Sequence, residues 1–451
     1  MDRKIYDICI IGGGASGLAC AAEAARLVPG ISIFIVEKND ILGRKILSTG
    51  NGRCNLSNMS CPGHEDVLRF FDSIGVITRT DEAGRIYPYS EDAKDVADAL
   101  TDTVISSGAD VVTGAVCTAC SFDESEQLYE TQIMVKDTDV SGAGRKEHGH
   151  DGADIERARE EARQKQFSIL SRRILLAAGG KAAPKLGTTG DGYRIAKKFY
   201  HTVTRLAPAL TAVETKEDLS ALSGVRAKVR ITLISHGGSL FEGDGEIQFT
   251  DYGISGICVF NMSRFLEIPE GRTLINGFDD YAVEIDFLPE TKDAGVLVRT
   301  RMKSGEGATC ADVSDSKEPD GGQNVDTSIL RSIVKRPVAE MILEKTGGEP
   351  EMTAWLLRHF MVHPSGVRGW DHAEITRGGI PLTEIKMDRM ESKYYPGLFF
   401  AGEIIDFDGP CGGFNLENAW ETGLRAARAV AEDIGETETG QEQHGRPAGY
   451  R

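Results

Sequence analysis

A chain of 451 residues is too long for one compact core, so two or three domains are expected. Its 51 Lys and Arg against 69 Asp and Glu leave a net charge of −18, which excludes a long phosphate-binding surface and argues against a nucleic-acid partner. No apolar run reaches the length of a membrane span, and the first strand begins too early to leave room for a signal peptide, so a cytoplasmic protein with no membrane partner is expected.

Ile8–Ile11 is a buried-strand run, and Gly12, Gly14 and Gly17 then fit G-x-G-x-x-G at the start of an Ala-rich helix, Ala15–Leu27. Gly12 allows the tight turn, Gly14 lets a pyrophosphate approach the backbone, and Gly17 lets helix and strand pack closely. The N–H groups of Ala15 and Ser16 lie at the helix start, which attracts the pyrophosphate. A second strand, Ser32–Val36, ends in Glu37, followed by Lys38. An acid there accepts from a ribose diol and repels a 2′-phosphate, so the dinucleotide is expected to be FAD or NAD rather than NADP. The segment Asn39–Lys45 leads into a loop rich in Gly, Asn and Ser, residues 48–58, whose backbone and arginines suit a cofactor phosphate or ring.

Ser90–Ser107 reads as an amphipathic helix with Ser90 as N-cap, and Ala109–Cys120 as a strand. Nine cysteines, an odd number at scattered spacing, fit a reducing compartment. Cys117 and Cys120 form a C-x-x-C, but on a regular strand they point to opposite faces, so a redox pair is not expected. Residues 141–166 form a polar insertion, with an exposed helix over 154–166; His148 and His150 there lack partners at metal-ligand spacing, and no metal site is expected. Ser168–Ala178 is apolar and ends in Gly179-Gly180, and a glycine-rich turn at 187–193 leads to a helix reaching Tyr200.

After residue 200 the pattern changes. Val225, Ala227, Val229, Ile231 and Leu233 alternate with polar residues, a period-two strand with one wet face. Gly245–Thr250 and Tyr281–Leu288 are further strands of an antiparallel sheet or barrel. Residues 290–326 are polar and irregular. Leu330, Val334, Val338 and Ile342 then recur at helical steps, Pro337 must kink or split this helix, and Met352–Phe360 continue the helical pattern. The last segment returns to a strand, Gly397–Ala401, followed by Gly402 and Glu403, and Cys411-Gly412-Gly413 opens a helix through Phe414, Asn415 and Leu416 to about Asp433. A strand ending in an acid suits a ribityl hydroxyl, and such a helix start suits negative charge on a flavin's pyrimidine edge.

Five segments carry a resemblance across nearly the whole chain: IGGGASGL at 11–18, GRKILSTGNGRCNLSN at 43–58, LAAGG at 176–180, GEIQFTDYGISG at 245–256 and FFAGEIIDFDGPCGGFNLENAW at 399–420. The chain resembles the YhiN/BaiN-like flavoproteins of the two-dinucleotide fold. That implies an α/β architecture: a discontinuous Rossmann-like FAD-binding domain interrupted by an antiparallel β-barrel-like domain that carries a small helical module. The expected division is 1–200 and 381–451 for the FAD domain, 201–289 and 361–380 for the barrel, and 290–360 for the linker and helices. Carried over by position, Gly12–Gly17, Glu37 and Lys38 are the ADP-half contacts; Gly43, Arg44 and Lys45 lie beside the phosphates. Gly50, Asn51, Gly52, Arg53, Cys54 and Asn55 form the loop near the isoalloxazine ring, and Val116 is the backbone clamp on adenine. Ala177 and Gly179 belong to the returning strand, Gly402 and Glu403 to the ribityl contact, and Gly413, Phe414, Asn415 and Leu416 to the helix start under the flavin. Cys411 stands where the family often has a small hydroxyl residue.

The resemblance implies an FAD-dependent oxidoreductase that moves hydride between flavin and a small organic substrate, held between the FAD domain and the barrel. A single dinucleotide fingerprint makes NAD(P)H at most a transient electron donor. Reduction of an unsaturated ketone, such as a steroid or bile-acid intermediate, leads; a flavin-dependent amine-type oxidase, an FAD-binding RNA-modifying protein and a redox sensor are the alternatives. Tyr252 and Ser255 are candidates to face the cleft, without an assigned role, and no Ser/His/Asp set is visible. The oligomeric state is open.

Overall fold

The computed structural model describes residues 4–135, 166–268, 280–291, 293–305 and 327–444. The expected features at 141–165 and most of the polar stretch 290–326 lie outside these residues. The chain divides into two compact units, Met1–Leu206 with Ile375–Arg451, and Ala207–Glu374.

In the first unit, Ile8–Ile11 (β1) leads into the helix Ala15–Leu27 (α1) and the strand Ile33–Val36 (β2). Both strands are buried at every residue, as parallel strands covered on two faces must be. His64–Ser73 (α2) and Ala93–Ser106 (α3) follow, then Asp110–Val112 (β3), Ala115–Asp123 (β4), Leu128–Val135 (β5), Gln166–Ser171 (β6) and Ile174–Leu176 (β7). After the second unit the chain returns through Leu398–Phe400 (β8) and Phe414–His444 (α4). The parallel core of the main sheet runs β8-β7-β1-β2-β3, so its centre joins the beginning, middle and end of the chain. β4, β5 and β6 form a separate antiparallel sheet, to whose edge Ile5–Tyr6 adds a short strand parallel to β6. α1 packs against α4 where Gly423 lets the helices close: a Cβ there would stand 2.4 Å from Ser16 O.

In this unit three local expectations need correction. The cap of α3 is Asp92, whose Oδ1 accepts from Lys94 N at 2.8 Å; Glu91 stands at φ 54°, so the helix starts after it and Ser90 lies too far upstream. Ala109–Cys120 is two strands in two sheets, broken around Gly114 at φ +63°. Third, β4 bulges at Thr118: Cys117 pairs with Ile133 and Ala119 with Gln132. The extra residue reverses the alternation. Cys117 and Cys120 therefore share a buried side, Sγ to Sγ 3.4 Å, instead of facing apart.

The second unit is built on a seven-stranded antiparallel sheet in the order 360–362, 281–286, 226–235, 238–250, 253–255, 213–215, 364–367. The two edge strands are separated in sequence only by His363, so the sheet must curl until its ends meet, as in a barrel. Arg226–Ser235 shows the expected alternation, with Val229, Ile231 and Leu233 in the core. The helices Ala294–Gly305, Arg336–Thr346 and Pro350–Leu356 belong to this unit. Of the two expected effects of Pro337 the split is the one seen: a short 3-10 turn, Thr327–Leu330, is separated from the helix Arg336–Thr346, and Pro337 lies in that helix's first turn, where the missing N–H is harmless. The last helix ends at Leu356, and Phe360 opens a strand instead of continuing it.

Candidate cofactor site

The turn from β1 to α1 is held from three sides. Gly12 has φ +110°, and a Cβ there would meet Ala177 O at 2.3 Å, so the returning strand sits directly against it. Glu37 Oε2 accepts from Gly13 N at 2.7 Å, while Oε1 accepts from Asn39 N and Asn39 Nδ2 at 2.7 and 2.8 Å. Gly43 N donates to Gly13 O at 2.8 Å, laying the 43–45 loop on the glycine turn. Gly114 N and Ala115 N donate to Asn39 O and Glu37 O, which brings Val116 alongside the tip of β2.

This arrangement fits the diphosphate of a dinucleotide. Gly14, the N-cap of α1, has extended backbone, and nothing lies within 4 Å of the Cβ it lacks. The helix start has no side-chain cap and no acid in its first turn, so its N–H groups and partial positive charge face that open space. Three of the roughly four acceptor positions on the Glu37 carboxylate are engaged, which leaves room for about one ribose hydroxyl rather than a full diol.

The segments 43–58 and 399–420 meet. Gly413 has φ +102°, and a Cβ there would overlap Ser57 O at 2.4 Å. Asn58 Nδ2 donates to Gly412 O at 3.0 Å, and Trp420 Nε1 donates to Leu56 O at 3.1 Å, with the indole fully buried edge-on to Phe71. With its amide turned to satisfy both ends, Asn55 accepts from Gly413 N at 3.1 Å and donates to Ser57 O and Ile86 O. Two further links tie this end to the glycine turn. Lys45 Nζ meets Glu403 Oε2 at 2.6 Å, and Ser16 Oγ donates to Ala401 O at 3.2 Å. Glu403 Oε1 accepts from Thr376 N at 2.9 Å, and the Thr376 hydroxyl accepts from Lys181 N and Ala182 N after Gly179-Gly180.

Other expected residues have local partners. Lys38 Nζ turns to Thr189 Oγ1 and Asp191 Oδ2 at 2.5 and 2.6 Å. Arg44 reaches Asn39 and Asp40, and Arg53 stacks on Tyr87 while bonding Gly50 O. Gly50, Asn51 and Gly52 bend the loop through positive φ; Cys54 is fully enclosed, and burial pushes its thiol up to about 12. The Asn415 amide is spent on Gly409 and Pro410, so it shapes the loop before α4 beside Phe414 and Leu416.

A serine–histidine–glutamate set is also present, against the sequence reading. His201 Nδ1 lies 2.8 Å from Glu384 Oε2, and its Nε2 lies 2.8 Å from Ser392 Oγ. The hydroxyl also accepts from Tyr394 N and Tyr395 N, and Ser392 is 1% exposed. An oxygen so saturated and sealed does not serve as a nucleophile; the set locks the loop at 392–395. Burial lowers the His201 imidazole. Burial opposes ionisation of Glu384 too, but Thr202 and His201 hold that carboxyl below its ordinary range. Chain separation hid the set: His201 and Glu384 are 183 positions apart.

The HI0933-like protein Rossmann domain family matches residues 63–429, and an NAD(P)-binding Rossmann-like domain matches residues 10–72. A 3-dehydro-bile acid delta(4,6)-reductase of Clostridium scindens is 31% identical over 447 residues, 94% of this chain and 99% of the relative. A ribosomal RNA dihydrouridine synthase of Haemophilus influenzae is 27% identical over 446 residues, 94% of this chain and 98% of the relative. Another of that name from Escherichia coli is 25% identical over 452 residues, 95% of this chain and 98% of the relative. The chain belongs to the HI0933-like family of FAD-dependent oxidoreductases.

Proposed function

We propose that this protein uses FAD to reduce a carbon–carbon double bond conjugated to a carbonyl, with NAD(P)H as transient electron donor and a small steroid-like enone as substrate. One observation carries the reading: the bile-acid delta(4,6)-reductase is similar from end to end. In this reading the α1 N-terminus and Gly14 hold the pyrophosphate and Glu37 takes a ribose hydroxyl. The Val116 backbone faces adenine, Lys45 and Glu403 stand by the phosphate–ribityl stretch, and the Gly413–Leu416 backbone faces the pyrimidine edge. Bound FAD supplies the hydride; the chain supplies orientation and a positive helix end for the charge that reduction leaves behind.

A second reading has its own support in the two relatives named as ribosomal RNA dihydrouridine synthases. Its chemistry is closely related, because uracil presents a C=C conjugated to a carbonyl. The charge of −18 weighs against a polyanionic substrate. Anaerobic reduction of the flavin-loaded protein by NADH and NADPH, followed by reoxidation with a steroid dienone or with unmodified ribosomal RNA, tests both. Rapid reoxidation by the dienone is expected. Reoxidation by RNA alone would transfer the assignment, and reoxidation by neither would overturn the reading.

A further inference from the structure

The first turn of α4 carries a carboxyl that the proposed cofactor contacts do not use. Glu417 is 3% exposed, and neither carboxylate oxygen has a hydrogen-bond partner among the described residues. A sealed carboxyl in that state gives up its proton only well above its ordinary range, so near neutral pH it stands ready to take one back. Ser57 Oγ faces it, itself buried and without a partner of good geometry, and is the main influence favouring ionisation. Glu421 on the same helix and Asp66 on α2 oppose ionisation, Cys61 lies close by, and His64 acts the other way. The nearby cations are engaged: Arg428 bonds Asp66 at 2.9 Å, and Arg425 bonds Glu421. Burial, ahead of these charges, pushes the carboxyl up to about 7.

Glu417 N donates to Gly413 O at 2.9 Å, so the side chain starts about one helical turn, ~5.4 Å of rise, behind the backbone proposed to face the flavin. We propose that Glu417 takes up a proton when the flavin is reduced, neutralising the site as negative charge arrives; this rests on the FAD reading above. Two electrons and one proton enter the flavin from a donor such as dithionite and from solvent. A second proton passes from solvent to a Glu417 carboxylate oxygen, and the net charge of the site is unchanged. Glu417 is 3% exposed, so in this proposal it acts through the cofactor's potential and not as a catalytic residue.

The test is potentiometric titration of the flavin-loaded protein and its Glu417→Gln variant across pH 6–9. Each proton taken up in a two-electron reduction moves the midpoint by about 30 mV per pH unit. The wild type is expected to fall by about 60 mV per unit from pH 7 upward, and the variant by about 30 mV. Equal slopes overturn the inference while leaving the FAD reading intact. A chain that refuses FAD overturns that reading first. If the variant does not fold, reduced-minus-oxidised infrared difference spectra of the wild type decide: a protonated-carboxyl band appearing on reduction supports the inference, and its absence overturns it.

Discussion

Replacing Glu417 with glutamine should stabilise the protein, and only at high enough pH. The folded carboxyl titrates at about 7 against an ordinary 4.5. The folded state thus binds the proton more tightly than the unfolded chain, and stability falls as pH rises from 4.5 to 7. Above that range, at about 1.4 kcal/mol per pKa unit, the buried ionisation opposes folding by about 3 kcal/mol, an upper figure because local opening relieves it. Glutamine keeps the shape and carries no charge. Urea unfolding of the oxidised, flavin-loaded protein, followed by flavin release at pH 5, 6, 7 and 8, gives the comparison. The variant should lie within about 1 kcal/mol of the wild type at pH 5 and exceed it by about 2–3 kcal/mol at pH 8. A pH-independent difference, or a less stable variant at pH 8, would refute the reasoning.

Gly413→Ala should lose most bound flavin and several kcal/mol of stability, since left-handed strain alone costs about 1–2 kcal/mol and the new Cβ overlaps Ser57 O; gel-filtered flavin content and urea midpoints check it. Glu37→Ala should weaken FAD binding by about 1.5–3 kcal/mol, roughly ten- to a hundredfold, measured by calorimetry. His201 is held neutral below its ordinary 6.5, so its contribution to stability is lost as pH falls through 6.5. His201→Gln should flatten that acid limb while lowering stability at pH 8, and unfolding against pH reads both. The hydrogen bond with Cys120, together with burial, raises the Cys117 thiol, and the Cys120 side chain is buried beside it, so neither should react with a disulfide reagent until the chain is denatured, by mass spectrometry.

The β1–α1–β2 unit was legible because a strand buried on both faces, a glycine turn and an Ala-rich helix each leave a local signature. The barrel strand Arg226–Ser235 was legible through its alternation. The bulge at Thr118 was not: one extra residue reverses which side two cysteines occupy and leaves no trace in composition. Pro337 marked a boundary, but its place in the first turn depends on where the preceding chain stops being helical. The clamp of residues 55–58 on Gly412–Trp420 was foreshadowed only as two unusual segments, because their contact spans more than 350 positions. Glu417 reads in sequence as an ordinary acid in a helix's first turn; the distant wall formed by Ser57 and α2 makes it a sealed one.

The central claim is that the open cradle at Gly14 receives the diphosphate of FAD. Gly14 has extended backbone and open space beside it, so aspartate there leaves the fold intact while filling the cradle with charge. Native mass spectrometry of wild type and Gly14→Asp, with circular dichroism as the folding control, measures this directly. One FAD per wild-type chain and none on a folded variant is the predicted result; stoichiometric FAD on Gly14→Asp would contradict it.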